Sequence, residues 1–201
     1  MQLAQARHIA EEWKERFTPT CEHIEIAGSV RREKPECHDI DLVAIPKMVT
    51  TVVQADLFGS SQSISVSALD AVIIEQINLG NLRGIKGGDR HKQLAVCKGK
   101  SDRINLELWL VLPPAQWGAQ FIIRTGPSDF SHWLVTAKRY GGAMPSNLKE
   151  KDGALWQVSK DENDHEVLEL IETPTEESYF AALGLDFIPP QLRVPPTRKA
   201  P

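Results

Sequence analysis

A chain of 201 residues and 22.4 kDa fits one large domain, or one with a small appendage, at roughly 150 residues per domain, and argues against a multi-domain proofreading polymerase or synthetase. Apolar residues at 41% and charged residues at 25% exclude a disordered tail. No apolar run long enough to span a bilayer occurs, and the start MQLAQARHIAEE lacks the basic-then-apolar order of a signal peptide, so a soluble cytoplasmic protein with no membrane partner is expected.

The net charge of −4 hides an asymmetry: residues 1–150 carry 18 Lys/Arg against 17 Asp/Glu, whereas residues 151–201 carry 5 against 10. Between Arg83 and Arg103 seven basic residues stand against Asp89 and Asp102, a stretch that could meet phosphates or form a solvated hairpin. Cys21, Cys37 and Cys97 are an odd number without CxxC spacing, which points to reduced thiols rather than a disulfide framework. Cys21, His23, Cys37 and His38 lack zinc-finger spacing.

In chain order, Leu3, Ala6, Ile9, Ala10, Trp13 and Phe17 form one stripe at helical spacing, predicting an amphipathic helix over 3–17. After Pro19 the alternation of Ile24 and Ile26 predicts a short strand over 23–27, ending in a turn at Gly28-Ser29. A second strand runs over 39–45, up to Pro46. Residues 56–67 read as a Gly/Ser loop, 68–79 as a helix, and 83–98 as two strands turning at Gly87-Gly88. A long strand over 104–111 halts at Pro113-Pro114. Residues 119–124 read as another strand, 128–140 as a helix, and 167–171 and 176–183 as short C-terminal elements. The last thirteen residues hold five prolines and are expected to be extended and loose.

The chemically informative stretch is AGSVRREKPECHDIDLVAIP, residues 27–46. Side chains alternate along a strand, so Asp39 and Asp41 project to one side, about 6.5–7 Å apart along the backbone. Two carboxylates that close repel unless a cation lies between them, and hard oxygen ligands suit magnesium or manganese. In INLELWLV the same alternation sends Asn105, Glu107 and Trp109 one way. Glu107 becomes a third carboxylate if this strand pairs beside the first. Three acids on neighbouring strands can hold two ions about 3.5–4 Å apart, which stabilises attacking and leaving oxygens in phosphoryl or nucleotidyl transfer. Gly28 lets backbone approach a phosphate, Ser29 offers a hydroxyl, and Arg31 and Arg32 can clamp phosphate oxygens.

These residues resemble the nucleotidyltransferases of the DNA polymerase beta (family X) superfamily. The glycine-serine turn, the paired arginines and the DxD strand match its motif, with Ser29 and Asp39 spaced as in the polymerases. RGIKGGDRHKQLAVCKGKSDRINLELWLV looks like the family's hairpin leading into the third-carboxylate strand, RTGPSDF (124–130) resembles the turn from palm to thumb, and YFAALGLDFIPPQLR (179–193) is similar to the segment closing the thumb. The resemblance covers about residues 5–193. It implies an α+β fold: a polymerase-beta-like palm over 1–125, a mixed sheet flanked by helices, then a small α+β thumb over 126–193 and a flexible Pro-rich tail over 194–201, without lyase or fingers domains.

The resemblance further implies a small DNA polymerase, working as a monomer, that adds dNMP from dNTP to a DNA 3′-hydroxyl in gap filling or repair, on primer-template or gapped DNA. Asp39, Asp41 and Glu107 would hold two Mg²⁺ ions, replaceable by Mn²⁺, and carry the catalysis. Gly28, Ser29, Arg31, Arg32, Arg124, Thr125, Gly126 and Ser131 would bind the nucleotide, and Lys86, Arg90 and Lys92 the DNA. The sequence departs from the family pattern at four places. His38 precedes the DxD in place of the usual glycine, Glu107 replaces an aspartate, Ile123-Arg124 replace a tyrosine-phenylalanine pair, and Ser131 replaces a polar amide. Two other readings stay open: a small-molecule or protein nucleotidyltransferase of the same superfamily, and an inert nucleotide- or nucleic-acid-binding module.

Overall fold

The computed structural model describes residues 1–54, 61–98 and 102–195. Helix α1 (Leu3–Phe17) buries Ala6, Ile9, Ala10, Trp13 and Phe17, and Lys14 and Arg16 in its last turn complement the negative end of its dipole. Pro19 closes it in a short 3-10 turn. Strand β1 (Cys21–Ile26) leads into a single helical turn, α2 (Gly28–Arg31), and then into β2 (Asp39–Pro46). Strands β3 (Met48–Gln54) and β4 (Ser61–Ser67) pair as a separate antiparallel arm before α3 (Ala68–Asn78). Strands β5 (Leu82–Lys86), β6 (His91–Lys98) and β7 (Asp102–Leu110) return the chain to the main sheet.

That sheet has the order β1-β2-β7-β6-β5. β2 and β7 pair in parallel, while β1–β2, β6–β7 and β5–β6 are antiparallel. The alternation sorts the two faces: Ile40, Leu42, Leu106 and Leu108 are fully buried with the apolar stripe of α1 and with Leu69 and Ile73 of α3. Each such side chain contributes roughly 1.5–3 kcal/mol by leaving water. The opposite face is left to Asp39, Asp41, Glu107 and Trp109.

The remaining chain forms α4 (Trp117–Thr125), α5 (Ser128–Val135), a sheet of β8 (Leu148–Lys151), β9 (Ala154–Lys160) and β10 (Glu166–Ile171), and α6 (Glu176–Ala182). Its core gathers Ile122, Phe130, Leu134, Leu155, Tyr179 and Phe180. A smaller cluster, Ala27, Val43, Val111 and Phe121, lies between the main sheet and α4, so α4 is braced against the carboxylate face. α6 starts with a capping box in which Thr175 and Ser178 satisfy each other's backbone N–H groups.

Four sequence-based expectations are corrected. Residues 119–124 are helix: Gly118, Ala119, Phe121, Ile122 and Thr125 are buried at helical spacing, and a six-residue apolar run reads equally well as a strand. The helix begun at Ser128 ends at Val135, because Thr136 turns extended and donates its hydroxyl to the His132 carbonyl. Residues 61–67 are a strand whose Ser-Ile-Ser-Val-Ser alternation is a period-two pattern; 55–60 lie outside the described residues. Gly28 opens a helical turn rather than a simple bend. The hairpin β8–β9 went unpredicted, although its Asp152-Gly153 pair, both at positive φ, is a strong hairpin signal. Of the expected Pro-rich tail, 196–201 lie outside the described residues, as does Lys100 of the basic stretch.

Candidate active site

The parallel pairing of β2 with β7 sets Asp39 opposite Asn105 and Asp41 opposite Glu107. Neighbouring strands lie about 4.7–4.9 Å apart, so Asp39, Asp41 and Glu107 share one face of the sheet. Turn α2 lies against Asp41. Gly28 has φ +59, and a Cβ there would overlap Asp41 Oδ2, so this approach admits no side chain. On the other oxygen, Trp109 Nε1 donates to Asp41 Oδ1 at 3.3 Å. Burial, followed by the charge of Asp39, raises the Asp41 pKa to about 7; Glu107 adds to the rise, while the Trp109 hydrogen bond and Arg32 oppose it. Beside this carboxylate, Ser29 Oγ is buried with no hydrogen-bond partner among the described residues.

Glu107 is held from β6, where Gln93 stands opposite it and His91 opposite Trp109. Gln93 Nε2 donates to Glu107 Oε1 at 2.8 Å, and His91 Nε2 meets Oε2 at 2.5 Å. The His91 ring stacks on Trp109 at 3.7 Å and 7°, and Arg124 Cζ lies 3.5 Å from the same ring centre. Two groups that close to one ring cannot share a face, so the indole is sandwiched between imidazole and guanidinium. Burial lowers the Arg124 pKa against the opposing pull of Asp41 and Glu150. Sequence reading placed Trp109 on the face of Glu107 but gave no role to His91, Gln93 or Trp109. The same alternation along β6 puts His91 and Gln93 on one face, and the β6–β7 register brings that face to Trp109 and Glu107.

The expected nucleotide residues divide. Arg32 faces the carboxylates: burial lowers its pKa, Asp41 and Asp39 oppose this, and its Nη1 donates to the Thr125 carbonyl. Gly126, at φ +66, lies against that guanidinium; a Cβ there would sit 3.1 Å from Arg32 Nη1. Arg31 points away. It donates to Glu176 through both terminal nitrogens, at 2.8 and 2.5 Å, and to Thr125 Oγ1 at 2.7 Å, with its guanidinium 3.8 Å over Phe121. A carboxylate as buried as Glu176 needs this partner, and Arg193 supplies a second at 2.9 Å. Arg31, expected from the sequence as a phosphate clamp, forms an internal ion pair with Glu176. Ser131 is buried and donates to the Ile123 carbonyl at 2.8 Å, so its hydroxyl is spent joining α5 to α4.

The basic hairpin is also partly spent. Arg90 donates to the Leu112 and Pro113 carbonyls at 2.9 and 2.7 Å, and Lys92 pairs with Asp70 at 2.9 Å. Lys86 stands exposed.

Among the described residues, no three His, Cys, Asp or Glu side chains converge closely enough to hold a metal ion. The donor chemistry of Asp39 and Asp41 nevertheless fits Mg²⁺: their oxygens are hard, and burial together with the neighbouring Asp39 charge disfavours the ionised form of Asp41, which a bound cation would favour. Each Glu107 oxygen that accepts one hydrogen bond keeps a second lone pair.

No family model and no curated protein matches this sequence. The structure, however, is similar to that of Leishmania infantum polymerase beta in a ternary P/T complex, with a TM-score of 0.68 over 97% of this chain and 77% of that one, at 14% identity. The fold is polymerase-beta-like. Among the described residues, no helix is long and apolar enough to cross a membrane.

Proposed function

We propose that the chain is a metal-dependent nucleotidyltransferase, acting as a small DNA polymerase that adds dNMP to a DNA 3′-hydroxyl in gap filling or repair. The observation that carries this reading is the shared face of Asp39, Asp41 and Glu107 beneath the Gly28-Ser29 turn. In this reading residues 1–125 form the palm and 126–193 the thumb. Asp39 and Asp41 would hold divalent ions with Glu107 completing the set; bound Mg²⁺ would neutralise charge on the triphosphate and polarise the attacking hydroxyl. Ser29 and Arg32 would bind phosphate oxygens. Gln93 and His91 fix the Glu107 carboxylate, and Trp109 fixes that of Asp41.

Catalysis on this account is positioning and charge stabilisation. It is tested by incubating the protein with each dNTP on single-stranded, primer-template and gapped DNA, with Mg²⁺ or Mn²⁺. Extension by single nucleotides supports the reading. Failure on every DNA under both metals overturns polymerase activity.

A second reading, a superfamily nucleotidyltransferase with a non-DNA acceptor or an inert binding module, draws on Arg90 and Lys92, which are engaged by the Leu112 and Pro113 carbonyls and by Asp70. Triphosphate binding without DNA extension would favour it.

A further inference from the structure

A well-formed cavity lies away from the carboxylates. It has a volume of about 690 Å³, within the roughly 300–1,000 Å³ that small ligands occupy. It opens where the end of β2 faces α4 and the segment leading into α6. Ile45 in its wall lies four residues beyond Asp41, about 13 Å along the strand, which separates it from the candidate active site.

One wall is aromatic. The His23 ring meets Trp117 edge-on at 4.1 Å, and Trp117 lies 4.9 Å from Phe121. The rest of the lining carries three acids, Glu172, Glu176 and Glu177, and one cation, Arg31. Arg31 and Arg193 already neutralise Glu176, whereas Glu172 and Glu177 are exposed and have no ion-pair partner among the described residues. The walls are held in place: the Gly118 N–H donates to the Thr173 carbonyl at 2.8 Å, and Gln116 Oε1 accepts from the Thr173 hydroxyl at 3.2 Å. The cavity is therefore formed before any ligand arrives.

We propose that this cavity binds a small organic polycation of the alkylammonium type. Aromatic faces attract ammonium groups through their quadrupole, and the two unpaired carboxylates supply charge for a second nitrogen. A phosphate-bearing ligand is disfavoured by the same carboxylates. The proposal does not depend on nucleotidyl transfer.

The probe is spermidine, titrated into the full chain by calorimetry without DNA. Saturable one-to-one binding is expected. Glu172→Gln with Glu177→Gln, both on exposed positions that leave the fold intact, should weaken it by about tenfold or more, and Trp117→Leu, which keeps apolar bulk but removes the π-face, by about tenfold. Glu162→Gln with Glu169→Gln removes equal charge elsewhere and should change affinity less than about twofold. Hexaamminecobalt(III), of equal charge but no hydrocarbon, should bind more weakly than spermidine. No saturable heat at millimolar spermidine overturns the proposal, as does equal weakening by both double variants or equal binding of the cobalt complex.

Discussion

Arg31 and Glu176, 145 residues apart, are joined by two hydrogen bonds of 2.8 and 2.5 Å. The pair ties the turn that carries Gly28 and Ser29 to the first turn of α6. Burial alone would raise the Glu176 carboxyl, but hydrogen bonds and charges from Arg31 and Arg193 hold it below the usual glutamate range. Removing it leaves two guanidinium groups without their counter-charge, Arg193 fully buried.

Glu176→Ala should therefore destabilise the fold by about 3–5 kcal/mol, read from urea unfolding at neutral pH. The sign of its pH dependence follows from the lowered pKa. The contribution of Glu176 is present above the unfolded-state pKa, about 4.3, and is lost as pH falls through the lower folded value. The gap between wild type and variant should be constant from pH 6 to 7 and shrink below about pH 4. A gap that widens on acidification would contradict the pairing.

Gly28→Ala tests the close approach of α2 to Asp41. The positive φ costs an L side chain roughly 1–2 kcal/mol, and the new methyl would also displace the Asp41 carboxylate. Loss of nucleotidyl transfer together with a lowered unfolding midpoint is expected. A fully active, equally stable variant would show that the turn does not press on Asp41.

Arg90 and Lys86 should separate structure from DNA contact on one hairpin. Arg90→Ala removes hydrogen bonds to the Leu112 and Pro113 carbonyls and should cost about 1 kcal/mol of stability while leaving the salt slope of DNA binding unchanged. Lys86→Glu should leave stability unchanged and flatten that slope by about one unit if it meets a phosphate. The opposite pattern would return Arg90 to the DNA interface.

The carboxylate face was legible in the sequence because strand alternation fixes which side chains share a side, and Asp39, Asp41 and Glu107 obey it. The register that sets Asp41 opposite Glu107 depends on β2 and β7 pairing across the 55 residues between them, which no local pattern encodes. The arginines show the same limit. Arg31 and Arg32 are adjacent and chemically identical, yet one turns to Glu176 and the other to the carboxylates, a choice made by α6 far along the chain. Helix α4 was misread because AQFII is too short to show its period, whereas the fifteen-residue α1 was not. The clamp of His91 and Gln93 on Glu107 needed the β6–β7 register as well, although both lie on alternate positions of a strand expected from the sequence.

The most direct test of two-carboxylate metal chemistry is nucleotide incorporation by Asp41→Asn against wild type, under saturating Mg²⁺ and on whichever DNA the wild type extends. Removing one charge from a crowded carboxylate pair should leave the unfolding midpoint equal or higher while incorporation falls by at least about 100-fold. Wild-type incorporation by a folded Asp41→Asn protein would contradict the assignment of this face as the site of nucleotidyl transfer.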